Sequence, residues 1–94
     1  MSIKSSRRKI DEIDDEILRL LVRRCEVVLE IAEIKHREKI PVRDKERERQ
    51  MFESQLVAAE KLGLNPDAVR KVFDCIIKHS LIIQLAAADG GRKT

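Results

Sequence analysis

The chain has 94 residues, of which 43% are hydrophobic, 39% charged and 2% aromatic, with a formal net charge of +3. This bounds a single domain, excludes compositional disorder, and leaves a core small enough that oligomerisation commonly assists such chains. The mild positive charge suits a small anionic ligand and gives no argument for nucleic acid, and with no Trp, no Tyr and two Phe there is no stacking platform for single strands.

Abundant Leu, Ile, Val, Ala, Glu, Lys and Arg with few aromatics predict an all-α protein. Cys25 and Cys75 belong to no CxxC or Cys/His pattern. They read as free structural thiols in a reducing compartment. The basic N-terminus lacks the apolar stretch of a signal peptide, and no apolar run approaches the length of a membrane span. The expectation is a cytoplasmic protein without membrane or nucleic-acid partners.

Residues 1–6 read as a lead-in, with Ser5 or Ser6 as N-cap and an earlier start near Ser2 as the alternative. The first helix is predicted from Arg7 to about Arg37, since the stretch contains no Gly or Pro. At about 100° per position, Ile10, Ile13, Ile17, Leu20, Leu21, Val28 and Ile31 share a stripe predicted to be buried. Arg24 and Lys35 fall in the middle of that stripe, and Arg7 lies at its edge. A cation facing a core is costly unless an acid or an anionic ligand meets it. Leu18, Val22, Cys25 and Leu29 add a second stripe, so this helix is expected to have more than one partner.

Pro41 interrupts the pattern, and Asp44 is placed to cap the next helix, predicted over 44–62. Met51, Phe52, Leu56, Val57 and Ala59 supply its apolar contacts. The charge run at its start reads by itself as a solvated turn with Glu/Arg pairs. Gly63 suits the position after a helix end, and Asn65-Pro66-Asp67 restarts the chain as a third helix over 66–88. Its stripe of Val69, Val72, Phe73, Ile76 and Ile77 continues to Ser80 and Gln84, two polar residues where Leu or Ile is expected. Residues 89–94 read as a frayed end.

A first helix of some 30 residues spans roughly 45 Å, which two shorter helices of roughly 30 Å cannot cover. A two-fold dimer with the long helices packed together is the simplest solution.

Arg24, Lys35, Ser80 and Gln84, with Arg7 at the edge and Arg47 and Glu48 at the second helix, hold more cations than acids. The missing negative charge points to a small ligand with at least two anionic groups, for which the arginine fork is suited. No Ser-His-Asp or Cys-His set can be assembled, and there is no phosphate-binding glycine loop or metal signature, so neither metal nor cofactor is expected. His36 and His79 read as exposed residues at or near helix ends. Several fixed donors without a nucleophile or base suit a reaction that needs only conformational restraint and charge stabilisation.

Five elements at these separations resemble the all-helical chorismate mutases: Arg7-x-x-Ile10-x-x-x-Asp14, Leu20-Leu21-x-Arg23-Arg24, Ile34-Lys35, Pro41-Val42-Arg43-Asp44-x-x-Arg47-Glu48, and Ser80-x-x-x-Gln84. The resemblance runs from about Arg7 to Gln84, close to the whole of a single domain over 1–94. It implies an intertwined helical homodimer that converts chorismate to prephenate by an intramolecular Claisen rearrangement, on the route to phenylalanine and tyrosine. It further implies that Arg7 of the partner protomer and Arg24 grip the carboxylates, Arg47 assists, and Ser80 supports the clamp by a hydrogen bond. Lys35 and Gln84 would donate to the ether oxygen, Glu48 would receive the ring hydroxyl, and Asp44 would lie beside it through its backbone. Arg24, Lys35 and Gln84 are the implied catalytic residues. The competing readings are an isochorismate-pyruvate lyase on the same fold, a non-catalytic helical dimerisation protein with acids facing Arg24 and Lys35, and a basic helical nucleic-acid binder.

Overall fold

The computed structural model describes residues 2–90, with side chains through Ala88. Three helices account for nearly all of them: α1 (Ile3–Glu38), α2 (Lys45–Lys61) and α3 (Pro66–Gly90). Among the described residues there is no strand.

Helix α1 begins at the alternative start near Ser2 and not at Arg7. Ser2 is the N-cap, with extended backbone, and its hydroxyl accepts from the Ser5 N–H at 3.1 Å. Ser5 and Ser6 are therefore helical and cap nothing. The reason is energetic: serine inside a helix costs only tenths of a kcal/mol, and no Gly or Pro halts extension toward the N-terminus. The early start also carries Arg7, Arg8 and Lys9 away from the first turn, where cations oppose the helix dipole. At the other end Lys39 adopts the left-handed conformation with φ 58°. The Ile40 N–H reaches back to Lys35 O at 2.8 Å, satisfying a terminal carbonyl. Lys35, His36 and Arg37 in the last turn match the negative end of the dipole.

Asp44 caps α2 as expected, accepting from the Arg47 N–H at 3.0 Å, and Glu46 and Glu48 lie in the favourable first turn. Gly63 follows the end of α2 with φ 73°. The N–H groups of Gly63 and Leu64 bond Glu60 O and Ala59 O at 3.1 and 2.9 Å, the paired bonds that close a helix through a left-handed residue. Asn65 then caps α3, its side chain accepting from the Ala68 N–H at 3.1 Å. Helix α3 continues past Ala88 to Gly90; the expected stop involving Gly91 and the rest of the tail lies outside the described residues.

Helix α3 packs against both α1 and α2. The chain extends 55 × 30 × 15 Å. Its long dimension matches the roughly 54 Å expected of a helix of α1's length. The core is thin. Val28 and Ala32 on α1, Ala59 on α2 and Ile77 on α3 are its buried apolar residues, joined by Ser80 and Gln84, and among the described residues no large side chain is fully buried.

The expected stripe on α1 is consequently not buried within one chain. Leu21 is half-buried and Val28 buried, but Ile10, Ile13, Ile17, Leu20 and Ile31 are exposed. Of the second stripe, Leu18, Val22 and Leu29 are exposed as well. The physical reason is partnership: α3, the helix packed on α1, also packs against α2, and every described residue of α1 before Leu21 is left exposed. Val72 on α3 is also exposed, contrary to its place on the expected buried stripe, and so is Val57, one of the residues expected to make the apolar contacts of α2.

Candidate functional site

The useful half of α1 is the C-terminal one. Residues at a helical spacing of three or four, Arg24, Val28, Ile31 and Lys35, form one wall of a cleft of about 250 Å³. Ile77, Ser80, Leu81 and Gln84 of α3 form the second wall. Val42, Asp44, Arg47, Glu48 and Met51, from the connection and the start of α2, complete the lining. The cleft thus gathers seven of the eight residues singled out from sequence: Arg24, Lys35, Asp44, Arg47, Glu48, Ser80 and Gln84.

The polar pairs across the α1–α3 interface are specific. Arg24 Nη1 donates to Ser80 Oγ, and Ser80 Oγ in turn donates to Ile76 O at 3.0 Å, one turn back on α3. Lys35 Nζ donates to Gln84 Oε1 at 3.0 Å and to Val42 O at 2.7 Å. Ser80 and Gln84 retain only 7% and 8% of their accessible surface. They are buried because they are bonded: an unpaired amide or hydroxyl here would cost on the order of 1–3 kcal/mol.

The Lys35–Gln84 bond also orients the amide. An ammonium only donates, so Gln84 must turn its oxygen toward Lys35. This leaves the Gln84 Nε2 hydrogens without a hydrogen-bond partner among the described residues. Lys35 has three N–H donors and uses two on protein acceptors. One ammonium donor and one amide donor therefore remain beside each other at the cleft.

Charge in the cleft is unbalanced. Arg24, Lys35 and Arg47 make no ion pair with a carboxylate among the described residues. The two acids that line it are committed elsewhere. Asp44 caps α2. Glu48 is held by Arg43, with Nη2 to Oε1 at 3.0 Å and Nε to Oε2 at 3.0 Å. Three cations without carboxylate partners against the single unpaired acid Asp44 leave the cleft net positive, which suits an anion.

Arg7 is the residue that the single chain does not bring to the cleft. It lies near the N-terminus of α1, beside Ile3, Lys4, Arg8 and Asp11. Along the helix it is roughly 25 Å from Arg24, which no arginine side chain spans.

The charge run at the start of α2 divides in two. Its outer part is a solvated network in which Arg49 binds Glu46 and Glu53. Arg49 holds the Glu46 carboxyl below its ordinary range. Its inner part turns Arg47 and Glu48 to the cleft. His36 and His79 are exposed as expected, although His79 lies within α3 and not near its end. Among the described residues no group of three His, Cys, Asp or Glu is arranged to hold a metal ion. No described helix is long and apolar enough to cross a membrane.

Two contributors went unassigned from sequence. The Val42 carbonyl anchors Lys35, and Arg43 grips Glu48. A backbone carbonyl leaves no mark in the sequence. Arg43 did stand within a recognised motif, but nothing in its spacing assigned it a partner.

An all-helical fold with a cleft of cations that lack carboxylate partners at its α1–α3 interface has the charge to suit a small polyanion. The chain belongs to the chorismate mutase type II family, whose model matches residues 6–85. A chorismate mutase of Methanocaldococcus jannaschii is 33% identical over 78 residues, covering 83% of this chain and 79% of that protein. A bifunctional chorismate mutase/prephenate dehydratase of Aquifex aeolicus is 46% identical over 71 residues, covering 76% of this chain and 18% of the relative. The corresponding bifunctional protein of Escherichia coli is 32% identical over 80 residues, with 85% of this chain and 21% of the relative covered. The chain thus spans only about a fifth of those two-function relatives.

Proposed function

We propose that this chain is a chorismate mutase, rearranging chorismate to prephenate within one molecule on the route to phenylalanine and tyrosine. The observation that carries the reading is the cleft in which Arg24, Lys35 and Arg47 lack carboxylate partners while Asp44 and Glu48 are already engaged. A dicarboxylate supplies the missing charge. Ser80 and Gln84, not acids, face Arg24 and Lys35, which argues against a dimerisation protein with internally paired cations.

In this reading Arg24 grips one carboxylate, steadied by Ser80, and Arg47 assists. Holding both carboxylates enforces the folded conformer in which the reacting carbons meet. The free donors of Lys35 and Gln84 face the ether oxygen. Negative charge grows on that oxygen as its bond to carbon breaks, so these contacts strengthen toward the transition state. Glu48 accepts the ring hydroxyl, with Asp44 beside it through its backbone. The chemistry needs no nucleophile, metal or cofactor.

The functional unit is a homodimer with two shared sites, the long helices intertwined and Arg7 supplied by the partner protomer. Its support is the distance of Arg7 from the cleft in its own chain, together with the exposed Ile10, Ile13, Ile17 and Leu20 on the same projecting half-helix. Such a row of apolar residues is the surface a second copy would cover. Residues 1–94 act as one catalytic domain, in the cytoplasm.

The test is loss of chorismate absorbance on adding the purified chain, with Arg24→Ala as control. Prephenate should form with the wild type and not with the variant. Absence of turnover by the wild type would refute the reading, and turnover of isochorismate in its place would favour the lyase.

A further inference from the structure

Among the described residues, Arg43 is the one cation that binds a cleft acid without lining the cleft. Its guanidinium takes both oxygens of Glu48, through Nη2 and Nε, each at 3.0 Å. Glu48 lines the cleft, whereas Arg43 lines a groove on the outer surface with Arg49, Phe52 and Arg70. The carboxylate therefore stands between the two, approached from behind by Arg43. Its side chain is 16% exposed while that of Arg43 is 56% exposed.

We infer that Arg43 is a positioning residue, acting through Glu48 to fix the carboxylate that selects a hydroxylated ring. The inference rests on the mutase reading above. A carboxylate offers about four lone-pair sites, and a two-pronged arginine contact occupies two of them. The plane of the carboxyl group is then set, and the remaining lone pairs can accept a hydroxyl from the cleft side. Without Arg43, Glu48 can rotate about its side-chain bonds, and three uncompensated cations nearby are available to draw it inward. A free Glu48 paired to Arg47 or Lys35 would occupy the charge meant for the substrate.

The backbone that carries Arg43 is itself fastened. Val42 O accepts from Lys35, Arg43 binds Glu48, and Asp44 Oδ1 accepts from the Arg47 N–H. Three consecutive residues thus each hold one residue of the cleft. Pro41 precedes them with its fixed φ. The connection between α1 and α2 works as a support for the site as well as a link between helices.

The experiment is a double-mutant cycle on the full chain with chorismate, using Arg43→Ala, Glu48→Gln and both together. Arg43→Ala should lower kcat/KM about tenfold, short of the roughly hundredfold that a 1 Å misplacement can cost. In the Glu48→Gln background the same change should cost less than about twofold, because the residue it acts through is gone. Arg43→Lys should recover only part of the loss, since an ammonium cannot make the two-pronged contact. Thermal unfolding should be unchanged in Arg43→Ala, as expected for a largely exposed pair. An equal loss in both backgrounds, or full activity of Arg43→Ala in the wild-type background, overturns the inference and leaves the mutase reading standing. An inactive wild type overturns the mutase reading itself.

Discussion

The ammonium of Lys35 donates to the side-chain oxygen of Gln84 at 3.0 Å, joining α1 to α3 at the mouth of the cleft. One bond does two jobs. It satisfies the oxygen of a buried amide, and it leaves the donor end of that amide free for the substrate oxygen of the proposed reaction.

In the proposed mechanism Lys35→Ala removes a charge that favours the transition state. A single donor in such a site is worth about 3–4 kcal/mol, so kcat should fall at least about a hundredfold with KM changed far less. Arg47→Ala, at the more exposed end of the cleft, should raise KM more than it lowers kcat. Steady-state kinetics on the two variants separates these effects, and two unchanged enzymes would remove both assignments.

Gln84 donates as a neutral amide and does not titrate. The wild type should therefore show no steep rise in rate on acidification. Gln84→Glu can donate only as the protonated acid, so its rate should rise as pH falls toward the ordinary glutamic range of about 4.3. A pH profile of kcat for both proteins tests this; the same profile in each would mean that Gln84 does not donate to the reacting oxygen.

Ser80→Ala takes away the oxygen that accepts from Arg24 and leaves Ile76 O with its helical partner. The stability cost should be modest, about 1 kcal/mol. The kinetic cost should appear chiefly as weaker substrate affinity, because Arg24 keeps its charge and loses its restraint. Chemical denaturation beside KM measurement distinguishes the two contributions.

The proposed sharing of sites between protomers makes a distinctive prediction for mixed dimers. Arg7→Ala and Arg24→Ala should each be nearly inactive alone. Unfolded together and refolded, they should regain about a quarter of wild-type activity, since half the dimers are mixed and each mixed dimer has one intact site. No recovery on mixing, with dimers demonstrated by sedimentation, would show that Arg7 does not cross between protomers.

Lys39 holds a left-handed backbone at φ 58°, where a side chain is disfavoured. Lys39→Gly should stabilise the fold by about 0.5–1 kcal/mol after the added freedom of the unfolded chain is counted. The midpoint of thermal unfolding should rise by a few degrees at constant protein concentration. A lower midpoint would mean that the lysine side chain contributes more than its backbone costs.

Helix boundaries were legible where a local signal exists. Asp44, Gly63, Asn65 and Pro66 each act within a few residues of themselves, so their roles survive folding unchanged. The start of α1 was misplaced because Ser2, Ser5 and Ser6 are all competent caps, and the choice among them is set by how far the helix propagates. Burial along α1 is not legible in the sequence for a different reason. Periodicity reports which side of a helix is apolar, and Ile10, Ile13, Ile17 and Leu20 do share a side. It does not report which stretch of the helix a neighbour stays against.

The site divides in the same way. Arg24, Lys35, Ser80 and Gln84 stood out in the sequence because polar residues interrupted apolar stripes, and helical spacing alone put each pair on one face. Their pairing across the interface, Arg24 with Ser80 and Lys35 with Gln84, depended on the register between α1 and α3. So did the bond from Lys35 to the Val42 carbonyl, the grip of Arg43 on Glu48, and the separation of Arg7 from the cleft. Composition and period determine local conformation and the polarity of each face, because they act over a turn or two. Which charges remain unpaired is decided only when the helices meet, because pairing depends on distances of a few ångströms between residues far apart in the chain.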